Sequence, residues 1–145
     1  MVDFPVSAGE RFEFRKTISE SDVYLFAGIT GDLSPNHVDE EQMKRSRYGG
    51  RIAHGGLLVG YMSACSTMAS ERFRNWNGKV AVSLGYDRIR FLQGVRIGET
   101  IAVHYEVTSI DRYRLRSTAD VKITTSDGCL AAVAQHILKW VNAEE

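Results

Sequence analysis

The sequence predicts an α+β domain in which one antiparallel sheet wraps a long central helix. Three observations predict it. After one N-terminal strand, helical patterns precede Glu71 and strand patterns follow Gly78, and such segregation favours α+β over a wound βαβ order. The stretch Gly55–Ser70 carries no charge and is rich in Gly, Ser, Ala and Thr, as suits a helix that a sheet approaches closely. Ser126-Asp127-Gly128 is a hairpin turn of the Asp-Gly kind, which makes its flanking strands antiparallel neighbours. At 145 residues the chain can enclose one proper hydrophobic core, so residues 1–145 are expected to form a single domain.

The elements follow in order. In Glu10–Ile18 the residues Phe12, Phe14 and Ile18 alternate with polar neighbours, which predicts a first strand with one buried face. Ser19-Glu20-Ser21-Asp22 resembles a capping box, so a short helix runs through Val23–Ala27 until Gly28 or Gly31 stops it. From there to Asp39 a loop is expected. Asp39-Glu40-Glu41 places acids where a helix dipole favours them and starts a second short helix, which Tyr48-Gly49-Gly50 ends. His54-Gly55-Gly56 opens the buried helix. Four strands complete the chain, with Ile101, Val103, Tyr105 and Val107 forming one buried row and Ala119, Val121 and Ile123 another. The last strand is expected from Cys129 to Val141.

Charge and composition remove several function classes. Eighteen basic residues balance eighteen acidic ones, so no global positive field holds a nucleic-acid backbone. Gly55–Ser70 falls short of the roughly 20 residues that span a bilayer, and Met1–Val6 has neither the basic start nor the apolar core of a signal peptide. The two cysteines, Cys65 and Cys129, have no CxxC or metal-ligand spacing, which fits two buried thiols in a reduced, cytoplasmic chain.

Chemistry concentrates in two segments. Thr30-Gly31-Asp32-Leu33-Ser34-Pro35-Asn36-His37-Val38-Asp39 brings an acid, a histidine and a rigid turn together. On a continuous helix Asp32 and His37 would point about 140° apart. Gly31 and Pro35 make that helix improbable, and on a curved loop both side chains can converge. A carboxylate and an imidazole in one pocket suit proton transfer, although an Asp beside a His in a turn can also be a cap. Arg51-Ile52-Ala53-His54-Gly55-Gly56 places paired glycines at a helix start, where amides without intrahelical partners face developing negative charge; the same glycines could equally serve helix–sheet packing. His54 is read as part of the helix entrance, and His104 and His136 as structural strand residues. Lys44, Arg45, Arg47 and Arg51 form a local basic group.

Together the two segments resemble the MaoC-like (R)-specific enoyl-CoA hydratases and dehydratases of the hot-dog superfamily. The family hallmark, Ala/Ser-Gly-Asp-x-Asn-Pro-x-His-x-Asp followed by an Arg-Ile-Ala-His-Gly-like stretch, is matched at residues 30–39 and 51–55. Arg88-Ile89-Arg90-Phe91 and Gly98-Glu99-Thr100 also look like the family's strand region, so the likeness covers roughly residues 10–140. It implies a hot-dog fold, Asp32 and His37 as the catalytic pair, the Gly55 amide facing a thioester oxygen, and Asp39 capping the next helix. The implied substrate is an acyl-coenzyme A or acyl-carrier-protein thioester, with no metal or redox cofactor, and Arg47 and Arg51 are the candidates for phosphate contacts. The implied assembly is a homodimer or a set of dimers. Ser34 stands where the family has Asn, and Asn36 where an apolar residue is common. A hot-dog thioesterase and a non-catalytic acyl-thioester binding module are the alternatives.

Overall fold

Alternation of apolar and charged side chains makes Arg11–Thr17 a strand, β1, and Ser19 then starts helix α1, Glu20–Thr30, through a reciprocal capping box with Asp22. The computed structural model describes residues 3–71 and 76–144; Met1 and Val2, the start of the stretch read above for an export signal, lie outside them. Gly31, at a left-handed φ of 78°, ends α1. Two short helices follow, α2 at Pro35–Val38 and α3 at Glu40–Lys44, before the long helix α4 at Gly55–Glu71. Strands β2 (Lys79–Phe91), β3 (Thr100–Asp111), β4 (Arg116–Thr125) and β5 (Leu130–Asn142) complete a five-stranded sheet of order β1-β3-β4-β5-β2 with every pairing antiparallel.

The sheet packs its inner face on α4. Ile101, Val103, Tyr105 and Val107 of β3 and Ala119, Val121 and Ile123 of β4 are buried in the alternation that their pattern predicts, and they meet Leu58, Met62, Cys65 and Ala69 of α4 in one core. Phe4 closes the far end by packing edge-on against Trp76 and Trp140. The Asp-Gly turn joins β4 to β5 as expected, with Gly128 at φ 84°.

The core contains one polar chain. His136 of β5 is fully buried, and its two ring nitrogens meet the Ser83 hydroxyl at 2.8 Å and the Tyr105 hydroxyl at 2.9 Å, while the Tyr86 ring stacks on it. Burial pushes the imidazole down to about 4, so it folds as a neutral ring. This is the structural role expected of His136.

Three expectations need correction. Residues 35–38 form a helical turn instead of loop, because Pro35 sits at the first helical position, where its missing N–H is not needed and its fixed φ already suits a helix. The second short helix stops at Lys44, ahead of Tyr48-Gly49-Gly50. There the Ser46 hydroxyl donates to the Met43 carbonyl and the Gly49 amide to the Ser46 carbonyl, which draws the backbone into tighter turns. The cysteines are not a buried pair: Cys65 is in the core, where burial pushes its thiol up to about 11, whereas Cys129 is exposed beside Asp127 just past the hairpin turn.

Candidate active site

Both candidate acid/base residues hang from the connection between α1 and α3. The left-handed Gly31 cap turns the chain off the axis of α1, so Asp32 begins a new direction. Its carboxylate accepts the Ser34 amide at 3.2 Å and is otherwise open to solvent. The short α2 carries His37 inward, where it is 6% exposed. His37 Nδ1 lies 2.7 Å from the Ile52 carbonyl. Because a carbonyl only accepts, Nδ1 carries the proton, and in the neutral ring Nε2 keeps a free lone pair.

A third group stands beside them. His54, 1% exposed, places Nε2 3.0 Å from the main-chain carbonyl of Asp32 and stacks its ring on that of His37 with centroids 3.7 Å apart. By the same logic Nε2 donates, and the buried Nδ1 has no hydrogen-bond partner. The donor atoms of Asp32, His37 and His54 all lie within 4.8 Å of one another. An imidazole binds a metal ion through a lone pair in its ring plane. Stacked rings aim those lone pairs side by side instead of at one point. The trio fits proton transfer better than coordination.

His37 and Gly55 line a cleft of about 380 Å³ with apolar walls from Leu58, Phe91, Leu92 and Val95. Gly55 is the first residue of α4, so its N–H has no intrahelical acceptor. Both glycines permit close approach: a Cβ at Gly55 would stand 2.6 Å from the Phe91 ring, and one at Gly56 2.9 Å from the Phe26 ring, so a side chain at either position would displace a ring. The paired glycines therefore pack two aromatic rings and also leave the helix start open to the cleft. A second cavity of about 400 Å³ lies against β1, β3 and β4 beside Glu13, His104 and Lys122, and none of the candidate residues lines it.

The basic group divides. Arg51 pairs with Glu20 and Glu40, donates to the Tyr24 hydroxyl and packs over that ring, and its side chain is 10% exposed. Its hydrogen bond holds the Glu40 carboxyl below the usual range, and the two carboxylates hold the guanidinium charged. Arg51 thus ties α1 to α3 and is absent from the lining of the cleft, where, among the described residues, Arg47 is the one Arg or Lys. Asp39 caps α3 by accepting the Gln42 amide, as expected. The two departures at Ser34 and Asn36 meet each other, since the Ser34 hydroxyl donates to the Asn36 side-chain carbonyl at 2.7 Å. His54 is the residue whose place at this site sequence reasoning missed. Its adjacency to Gly55 was a signal, but its ring contacts join residues 22 and 17 positions away, which spacing does not show.

With the geometry in hand, similarity to known proteins is informative. Residues 3–128 match the model of the MaoC like domain. An (R)-specific enoyl-CoA hydratase of Rhodospirillum rubrum is 36% identical over 105 residues, covering 72% of this chain and 68% of that protein. A 3-hydroxybutyryl-CoA dehydratase of Methylorubrum extorquens is 38% identical over 103 residues, or 71% of this chain and 61% of that one. The (R)-hydratase of A. caviae involved in PHA biosynthesis superposes with a TM-score of 0.81 over 92% of this chain and 96% of its own, at 23% identity, and so shares the fold.

Proposed function

Since the chain belongs to the MaoC-like dehydratase family and has its hot-dog fold, we propose that it is a single-domain enzyme that adds water to trans-2-enoyl thioesters to give (R)-3-hydroxyacyl thioesters, and runs the reverse dehydration. The observation that carries the proposal is that the Asp32 carboxylate lies within 4.8 Å of a His37 ring nitrogen, and that His37 lines the same cleft as Gly55, whose amide has no intrahelical acceptor. In hydration a water oxygen bonds to the β-carbon, a proton reaches the α-carbon, and negative charge moves onto the thioester oxygen in between. Water held between the Asp32 carboxylate and the His37 Nε2 can supply both hydroxyl and proton on one face of the alkene. The Gly55 N–H meets the enolate-like oxygen, and losing one such donor costs on the order of 3 kcal/mol in other enzymes.

The thioester carrier, coenzyme A or an acyl carrier protein, serves as the handle, and no metal or redox cofactor takes part. Arg47, which lines the cleft, is the residue we assign to carrier phosphates; Arg51, already bonded to two carboxylates, has its charge satisfied. Among the described residues no helix is long and apolar enough to cross a membrane. Turnover of trans-2-enoyl-CoA esters of graded length, followed with a thiol reagent present, tests the assignment. Hydration consumes the conjugated alkene without releasing thiol. Thiol release at the same rate would instead mark a thioesterase.

The active species is a homodimer or an assembly of dimers. β1 and β2 are the sheet's edges, and β2 presents Leu84 and Phe91 to solvent near the exposed Leu92, so an unpaired edge and apolar side chains coincide. Light scattering across a dilution series is expected to give at least twice the monomer mass at concentrations where activity is measured. An active species of monomer mass throughout would contradict it.

A further inference from the structure

We propose that His54 is a positioning residue that locks the Asp32 turn and the His37 ring to the start of α4, an assignment that rests on the acid/base reading of those two residues. The three residues Ile52–His54 form a strap fixed at several points. The Ile52 amide donates to the Asn36 carbonyl at 2.9 Å and the Ala53 amide to the Val95 carbonyl at 2.7 Å, while the His54 carbonyl accepts the Leu58 amide of α4. Both members of the pair are bonded to this strap: His37 through Nδ1 to the Ile52 carbonyl, and Asp32 through its own carbonyl to His54 Nε2. The next residue is Gly55. One short segment therefore sets the distance between the acid/base pair and the amide that faces the thioester oxygen.

Within the strap, the contact to His37 is made by backbone and the contact to Asp32 by a side chain. The Asp32 turn has weak support of its own, since its remaining bonds run to neighbours Thr30, Gly31 and Ser34. His54 anchors it to the interior. The ring also covers His37 at 3.7 Å and meets Phe26 at 4.8 Å, behind the cleft that His37 lines. A residue kept only for packing would do better as phenylalanine: His54 Nδ1 is buried without a partner, a state that works against stability. The bond from Nε2 to Asp32 is what the polarity of this buried ring provides.

Two variants separate the contacts. His54→Phe keeps a ring over His37 and loses the donor to Asp32, whereas His54→Gln keeps a donor at the Nε2 position and loses the ring. In His54→Phe we expect backbone 15N order parameters of Asp32–Ser34 to fall toward mobile-loop values, a melting temperature equal to or above wild type, and kcat about tenfold lower with KM little changed. His54→Gln is expected to keep order parameters near wild type and to recover most of kcat. Unchanged order parameters in His54→Phe, or lost order without any loss of kcat in an active wild type, would overturn the assignment. The relaxation measurement does not depend on the substrate. Wild type that turns over no enoyl thioester would reject the hydratase reaction alone, and the order parameters would still decide whether His54 holds the turn.

Discussion

Asp32→Asn and His37→Ala are each expected to lower hydration turnover about 100-fold or more, since a positioned acid or base commonly contributes that factor. Both variants should fold. The Asp32 side chain is exposed and accepts one amide, that of Ser34, which an Asn carbonyl can still accept. Removing the His37 ring loses one hydrogen bond to Ile52 and its stack with His54, but the core under the sheet is untouched. Circular dichroism and steady-state kinetics on the same preparations check this. A folded variant with near-wild-type kcat would remove that residue from the chemistry.

The second large effect is on stability and comes from His136. Its folded value near 4 lies below the 6.5 of an unburied imidazole, because the charged form is desolvated in the core. The unfolded chain therefore binds a proton between these values that the folded chain does not. The contribution is full above about pH 6.5 and is lost as pH falls toward 4, with a total on the order of 3 kcal/mol. Other groups titrate over the same range, so the comparison is with His136→Gln, which keeps polar contacts for Ser83 and Tyr105 but cannot take up a proton. Denaturant unfolding at pH 7.5 and pH 4.5 should show wild type losing about 2.5 kcal/mol more than the variant. Equal losses would place the acid sensitivity elsewhere.

The features legible in the sequence are those set by local chemistry and periodicity. Alternation at Ile101–Val107 and Ala119–Ile123 exposed the buried face of each strand, Ser19 and Asp39 marked two helix starts, and of the two glycines that could end the first helix the structure uses Gly31. The turn at Pro35 was misread because a proline signals both a break and a first helical position, and only the following residues decide which. Cys129 looked like a core thiol until the hairpin placed it at the sheet's rim. At the site, the Asp32 and His37 motif lies within six consecutive positions and was visible as a unit. The role of Arg51 was hidden because its partners Glu20 and Glu40 belong to two other helices, and that of His54 because its contacts are made through space.

The proposed chemistry places water addition on one face of a planar alkene, with Asp32, His37 and the Gly55 amide fixed around it. The stereochemistry of the product tests that arrangement most directly. Purified protein incubated with a simple trans-2-enoyl-CoA, followed by chiral analysis of the 3-hydroxyacyl product, is expected to yield the (R) configuration in excess. An (S) product, or acid and free thiol without a 3-hydroxy thioester, would contradict it.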